Sequence, residues 1–543
     1  MIGTAARSLG VNAPIRRTVW LWAGALIACA AVARVGWAAW IAHADPSAVR
    51  DPDSPGYLAP ARALVEAGRF TITPTDPIPM FIRTPGYPVF LASILWFTDS
   101  RWAISLIQAI VSLVAVATVV WVGRRLIGPS AGLVAGAVVV LDPLQFVASG
   151  TLLSESLSTV VVALMAGVGA VVFALRSPAQ VAPGALFALG GLAAVATMVR
   201  PSFWFYPAVI VVLLAVRLRR LPRRTLVVQL LVFLLPIVLV VGGWQLRNHA
   251  RVDSWQVSAV PSINLYCDTA AEVESNLSGA SLASVMDRFG CPRAIDPDTD
   301  CERQAGWACW IPDPDAAGQG FDDLGREARQ FLLDHPVETG RVLGEGLVRE
   351  IAGPGTDTVA IYLGVDPSPA LTAVLFAWTA ALWGFAAIGA VIGLRSRHRA
   401  FWAFVVATVG YVMLVSAGGA AYARFRTPVI PLLALLAAMG VRECVSRLAA
   451  PDRRSRTTAI VERGGAGWGP RDQRGLGREI SGCWACAVGR RPSNLSAGVS
   501  TFLQRALAWP HGAGPQPLDT QGAGGLQLGR RRGQAGVQPG SHP

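Results

Sequence analysis

Apolar runs close to 20 residues long recur along this chain, and short arginine clusters separate them. A helix of roughly 20 residues is what crossing the hydrocarbon core of a bilayer requires. A soluble chain of 543 residues has no need to be 53% hydrophobic and only 15% charged. The expected fold is therefore an all-α polytopic membrane protein. The formal net charge of +13 does not point to nucleic acid as a partner. The arginines sit at the ends of apolar runs, where cytoplasmic flanks of membrane helices carry them. Arginine outnumbering lysine, with abundant Ala, Val and Gly, fits a GC-rich bacterial genome and hence a bacterial cytoplasmic membrane.

Arg16 and Arg17 precede the first run, Val19 to Ala42, and place the N-terminus inside. That run is too long for a signal-peptide core and lacks a clear cleavage signal, so it reads as a retained signal anchor. Further spans fall near 101–123, 131–149, 152–175, 183–199, 201–216, 225–246, 367–394, 400–419 and 425–442, about ten in all. Arg124, Arg125, Arg176, the cluster from Arg217 to Arg224, and Arg395, Arg397 and Arg399 then occupy inner turns. The plan is a cytoplasmic N-terminus and first helix over 1–41, an outer loop over 42–100 and a bundle over 101–246. An extracytoplasmic segment over 247–366, last helices over 367–448 and a cytoplasmic tail over 449–543 complete it. The run TPGYPVFLASILWF, 84–97, is short and opens with two prolines, so it reads as an interfacial helix. A second such helix starts after Pro55, since proline is tolerated in a first turn. No acidic or basic residue deep in a span is expected to serve as an ion relay.

Cys267, Cys291, Cys301 and Cys309 cluster in the larger outer segment, where two disulfides have three possible connectivities. No histidine cluster supports a metal reading of Cys301 and Cys309. The tail is rich in Gly, Arg, Pro and Gln and reads as disordered. Its CWAC, Cys483 to Cys486, has redox or zinc spacing, and chance explains it better.

Polar chemistry gathers in five stretches on the expected outer face. They are DPDSPGYLAPARALVEAGRF (51–70), RTPGYPVFLA (83–92), LLSESL (152–157), GGWQLRNHARVDSW (242–255) and YARFRTPVIP (422–431). An acid four residues before a tyrosine, then A-x-x-L, G-R-F and R-x-P-G-Y-P-x-F-L-A, resembles the polyprenyl-phosphate-dependent glycosyltransferases of the GT-C class, with their protein O-mannosyltransferase and aminoarabinose transferase members. LLSESL, Arg200–Pro201, WQLRNH, His335–Pro336 and RFRTPVIP resemble that family's landmarks in the same order, over residues 15 to 450. The resemblance implies sugar transfer from a lipid-linked phosphate donor to a hydroxyl on a protein, lipid or cell-wall glycan, with mannose the default sugar. It makes Asp53 the catalytic base, by its offset from Tyr57. Arg83 stands where some relatives have lysine, and Ile82 where some have an acid. Arg83, Arg247, Arg424 and Arg426 are the candidates for the donor phosphate; Tyr57, Tyr87 and Glu155 are those for the sugar or acceptor pocket. The sequence implies no certain cofactor, and a divalent cation shared by Asp53 and Glu155 is one option.

The chemistry agrees independently. A polyprenyl phosphate leaves without protonation, so one carboxylate can suffice as base, where glycosidases need two carboxyl groups. Arginine forks suit the departing phosphate. Arg424 and Arg426 also lie outside against the positive-inside bias, and an anion would compensate them. Other roles compete: Asp53 as a helix cap, Asp51 as the base, and Arg83 as a snorkelling anchor. Glu155 at a helix N-terminus, Arg247 and His249 as helix ends, and Trp244, Trp255, Trp307 and Trp310 as an interfacial belt complete these readings. A lipid or solute transporter, and a relative that only binds lipid-linked sugar, are the competing functions.

Overall fold

The computed structural model describes residues 13–44, 53–75, 78–291 and 317–448. Asp51, Cys301, Cys309, Trp307, Trp310, the CWAC pair and the tail lie outside them. From the N-terminal side, α1 (Ala13–Ala44) leads to a connecting segment with α2 (Ser54–Ala67) and α3 (Gly86–Leu95). There follow α4 (Arg101–Leu126), α5 (Pro129–Leu141), α6 (Pro143–Gly150), α7 (Ser154–Ala170), α8 (Pro183–Val199), α9 (Tyr206–Leu218), α10 (Arg223–Ile237) and α11 (Gly243–Val252). A second connecting segment holds α12 (Val260–Ile263), α13 (Ala271–Ser278), α14 (Leu282–Arg288), α15 (Ala317–Asp334), α16 (Pro336–Ala352) and α17 (Thr356–Leu363). Then come α18 (Pro369–Arg395), α19 (Arg399–Ser416) and α20 (Ile430–Leu448). Among the described residues there is no strand, only an isolated bridge between Thr71 and Pro79.

The protein is a polytopic α-helical membrane protein. Among the described residues, eight helices are long and apolar enough to cross a bilayer: Leu21–His43, Arg101–Leu126, Ser154–Leu175, Pro201–Leu218, Arg223–Val252, Pro369–Arg395, Arg399–Ser416 and Ala423–Leu448. Two of the roughly ten expected runs differ from these eight. The run at 131–149 is two helices, α5 and α6, bent by 58°, which count as a ninth span only if taken together. The run at 183–199 forms α8, which at 17 residues is shorter than the rest. Both helices expected in the first loop are present, as α2 and α3.

The bend has a local cause. Asp142 ends α5 and caps α6 by accepting the Gln145 N–H at 3.0 Å, while Pro143 removes the amide that would have continued α5. Carbonyls freed where α6 unwinds must be satisfied. Side chains of α4 do this: Ser105 Oγ donates to Gly150 O at 2.8 Å, and Gln108 Nε2 to Ala148 O at 3.2 Å and to Thr151 O. Ser54 Oγ then donates to Leu152 O at 2.8 Å, which fastens the start of α2 beside the start of α7. The bend thus delivers LLSESL to the first loop.

Arg34 in α1 is a charged residue deep in a span, with a structural role. It is 1% exposed and donates to Ser112 Oγ at 2.6 Å and to Val139 O at 3.0 Å. Its partners come from α4 and α5, so it ties three helices together. Farther along, α18 and α20 cross closely, because a Cβ at Gly389 would overlap the Leu436 carbonyl and one at Gly440 the Phe385 carbonyl. A large core of α4, α5, α7, α19 and α20 packs around Phe401, Trp402, Phe404 and Leu433.

The two connecting segments pack on one another. Phe81 O accepts the Ala259 N–H at 3.2 Å, and Ser258 Oγ donates to Ile82 O. Phe81, Met80 and Ile72 share a buried cluster with Ile263, Cys267, Cys291 and Phe321. Cys267 is bonded to Cys291, 24 residues away. Cys301 and Cys309 lie outside the described residues. A loop of this length gains about 3 kcal/mol from its cross-link. Cys267→Ser/Cys291→Ser should therefore be cleaved markedly faster than wild type in limited proteolysis between residues 253 and 291. Equal rates would show that packing alone holds the segment.

Candidate active site

Asp53 stands immediately before α2, whose first turn contains Pro55. Its carboxylate accepts no capping bond from that turn, so the capping role does not hold. The oxygens instead face two guanidinium groups. Arg83 Nη2 donates to Oδ1 at 2.9 Å, and Arg424 Nη2 to Oδ2 at 2.8 Å. Arg424 also meets Glu155, with Nε 3.2 Å from Oε1. Glu155 in turn lies 3.6 Å from Arg200 Nη1. The order in space is Arg83, Asp53, Arg424, Glu155, Arg200. It joins the first loop, the start of α7, the end of α8 and the approach to α20.

Each side chain has a local reason for its place. Arg83 follows a small hairpin in which Ile72 N–H donates to Ile78 O and Met80 N–H to Phe70 O, both at 3.1 Å. Its guanidinium lies over the Tyr57 ring, 4.3 Å from the centroid, and Nη1 donates to Tyr57 Oη at 3.1 Å. Arg83 is 6% exposed, so a snorkelling anchor is ruled out. Burial works against its charge, and Tyr57 and Asp53 outweigh that effect and leave its pKa above the ordinary value. Burial also raises the pKa of the Tyr57 hydroxyl. Glu155 occupies the first turn of α7, as expected, with Arg424 and Arg200 as additional partners. Arg424 lies on the 3₁₀ turn Ala423–Val429, its guanidinium 5.1 Å from the Tyr422 ring centroid.

Exposure says which group of the cluster is the most open. The Asp53 side chain is 24% exposed, against 7% for Arg83, 10% for Arg424 and 4% for Glu155. Three guanidinium groups against two carboxylates leave one net positive charge. Nη1 of Arg200 is also buried without a hydrogen bond. An anion fits that balance better than a cation. Arg424 bridges Asp53 and Glu155, and among the described residues no three His, Cys, Asp or Glu side chains gather as a metal site.

Several expected site residues lie elsewhere. Arg247 spends its guanidinium on Met80 O at 2.9 Å, Asn248 Oδ1 at 2.9 Å and Phe70 O at 3.1 Å. It props the hairpin before Arg83 and does not meet Asp53. Arg426, two residues from Arg424, turns the other way. It donates to Glu350 O at 3.0 Å, Gly353 O at 2.6 Å and Thr379 Oγ1 at 3.0 Å, so backbone carbonyls take the charge assigned to phosphate. Tyr87 is fully buried, its ring edge-on to Tyr57 and its hydroxyl donating to Gln108 Oε1 at 2.7 Å. It backs Tyr57 instead of lining a pocket. His249 stacks on Trp255, and the Trp244 indole N–H donates to Val257 O at 2.8 Å.

Three acidic or basic residues escaped the sequence reading as site members. Arg200 is the first. Its signal was present, because it falls on an expected outer turn against the same charge bias that singled out Arg424. Asp268, on the π-helical turn Asn264–Ala270, is the second. Burial first, then Glu272 and Asp53, push its carboxyl up to about 7. Glu350 in α16 is the third; it is fully buried and both its oxygens lack hydrogen bonds. Burial pushes it up to about 8 against the pull of Arg200 and Arg426, so it is mostly neutral at pH 7. Neutrality lowers the cost of burying it without partners.

The fold and this cluster define the class: a polytopic membrane protein with a carboxylate–guanidinium site where its connecting segments meet. No protein-family model matches the chain, and no curated protein matches it. Among solved structures, it is similar to the oligosaccharyltransferase AglB from Archaeoglobus fulgidus in complex with an inhibitory peptide and a dolichol-phosphate. Identity is 12% and the TM-score 0.45, over 90% of this chain and 54% of that one, so the chain spans about half the archaeal protein's length. It is also similar to ArnT from Cupriavidus metallidurans bound to undecaprenyl phosphate, with 14% identity, a TM-score of 0.36 and 77% of each chain covered.

Proposed function

We propose that the protein is an inverting glycosyltransferase. It moves a sugar from a polyprenyl-phosphate donor to a hydroxyl acceptor at the outer face of a bacterial cytoplasmic membrane. One observation carries the reading: the most exposed group of a net-positive cluster is a carboxylate held between two arginines, Arg83 and Arg424. Before the donor arrives, Asp53 is the counter-ion of these arginines. A guanidinium has five N–H donors. Arg83 and Arg424 can thus turn N–H groups toward the donor phosphate and leave Asp53 free to accept a proton. The acceptor oxygen attacks the anomeric carbon from the side opposite the phosphate, and its proton passes to Asp53. The bond between anomeric carbon and phosphate oxygen breaks, and polyprenyl phosphate departs with the electron pair. Fixed positive charge stabilises the oxygen that gains charge. Glu155 keeps Arg424 aligned throughout. By the sequence resemblance the default sugar is mannose, and the acceptor is a protein, lipid or cell-wall glycan.

The donor's prenyl chain needs an apolar track. A groove of about 350 Å³ runs between α18, α19 and α20 and reaches α16 through Leu347 and Ile351. Trp383, Val406, Gly410 and Met413 line it, and a Cβ at Gly410 meets open space. Gly410→Phe should fill the groove without disturbing the fold. Displacing about two methylenes at ~0.8 kcal/mol each predicts a rise in donor KM of roughly tenfold with kcat little changed. An unchanged KM would take the chain out of this groove.

The direct test incubates membranes containing the protein with labelled polyprenyl-phosphate sugars and follows the label. Transfer to an acceptor supports the enzyme. Label that crosses the bilayer still on its lipid would support the transporter reading instead.

A further inference from the structure

Arg424 can serve both acids only if the chain leading into its turn is held still. That chain is the strap Ala417–Tyr422, which joins α19 to the turn Ala423–Val429 and contains the pair Gly418–Gly419. Two elements of the second connecting segment hold it. Glu272 of α13 and Arg349 of α16 form a two-pronged ion pair, Nη1 to Oε1 at 3.0 Å and Nη2 to Oε2 at 3.2 Å. Both side chains are mostly buried, at 12% and 16% exposure. The same Nη2 donates to the Gly418 and Gly419 carbonyls, each at 3.2 Å. From the other side, the Gly419 N–H donates to Thr269 Oγ1 at 3.3 Å. Within the strap, Ala421 N–H donates to Gly418 O at 3.1 Å and closes a turn.

The fit leaves no room for side chains. A Cβ at Gly419 would overlap the Asp268 carbonyl, and one at Gly346 of α16 would overlap the Gly418 backbone. A partly buried ion pair is weak evidence for stability, because desolvation offsets its attraction. Here the carboxylate fixes the guanidinium plane, and the plane aims its remaining N–H at two carbonyls five and six residues before Arg424.

We propose that the Glu272–Arg349 pair is a positioning clamp. By holding the Gly418–Gly419 strap, it lays the Arg424 guanidinium across Asp53 and Glu155 and readies it for a phosphate. The inference rests on the function proposed above, and it gives the second connecting segment a part in the site. Displacements of about 1 Å at a reacting group can cost on the order of a hundredfold. A loosened strap should cost less, since Arg424 keeps its carboxylate partners.

The test measures polyprenyl-phosphate affinity by titrating the full-length protein in detergent, alongside transfer. Glu272→Gln is expected to weaken binding about tenfold, and Arg349→Lys, which keeps the charge but loses the fork, by a similar factor. Glu272→Asp should recover most of the loss. In an Arg424→Ala background, Glu272→Gln should add nothing, because a clamp acting through Arg424 has no further target. A merely structural pair would weaken binding equally in both backgrounds. Equal losses, or wild-type affinity for both Glu272→Gln and Arg349→Lys, overturn the clamp. Wild-type affinity for Arg424→Ala itself overturns instead the reading of the site on which it rests.

Discussion

Asp53→Asn is expected to lower turnover by about 10² to 10⁴ while leaving donor binding in place, the loss typical of removing a general base. The substitution keeps the shape of the side chain and removes only its charge and basicity. Arg424 would retain Glu155, 3.2 Å from its Nε, and Arg83 would retain the Tyr57 hydroxyl and ring, so the arginines stay ordered. Freed of one counter-charge, they should hold the donor phosphate at least as tightly as before. The signature is therefore a collapse in kcat with an unchanged or lower donor KM. Asp51→Asn should behave like wild type, which separates the two acids of DPDSPGYL. Wild-type transfer by Asp53→Asn would remove the base from this site, and a parallel loss of binding and turnover would make Asp53 a structural counter-ion.

Much of this site is legible in the sequence, and the rest hides for identifiable reasons. Asp53 is picked out by the family resemblance, through its offset from Tyr57; its residue chemistry alone leaves a helix cap, and Asp51 as the base, as rivals. Arg424 is found because an outer arginine in a membrane protein needs an anion. The same rule applies to Arg426 and fails there. On a 3₁₀ turn with three residues per turn, residues two apart face different ways. One guanidinium therefore meets Asp53, and the other meets the carbonyls of Glu350 and Gly353. Periodicity cannot say which. Arg247 fails for a related reason, since a helix-end arginine satisfies a neighbour's backbone as readily as a ligand, and the hairpin carbonyls it meets lie 167 and 177 residues away in sequence. The fold shows the same division. Among the described residues eight spans stand out by length and apolar composition, while the break between α5 and α6 depends on two adjacent residues, Asp142 and Pro143, inside an otherwise continuous apolar run. Arg34 and its partners in α4 and α5 are invisible to hydropathy, because one buried polar tie barely alters the mean of a long window.

Arg424→Ala is the second large effect, and it should differ in kind from the first. Removing this guanidinium strips Asp53 of one partner and Glu155 of its nearer one. Breaking a buried pair by deleting one member leaves an uncompensated charge, a cost of about 3 kcal/mol or more. Glu155, at 4% side-chain exposure, bears most of that cost, and Arg200 at 3.6 Å offsets only part of it. The melting midpoint should therefore fall together with activity. Transfer should drop by about 10² to 10³, the loss expected when a fixed donor to a developing negative charge is removed. Unlike Asp53→Asn, the change should weaken donor binding. Arg424→Lys should recover a fraction only, because an ammonium is a point charge and cannot span Asp53, Glu155 and a phosphate as the fork does. Arg426→Ala supplies the contrast. It frees the carbonyls of Glu350 and Gly353 and should lower the midpoint, yet donor affinity should stay near wild type because its guanidinium does not reach Asp53. If Arg426→Ala weakened donor binding and Arg424→Ala did not, the phosphate would belong on the other side of the turn Ala423–Val429, and Asp53 would lose its claim to the proton.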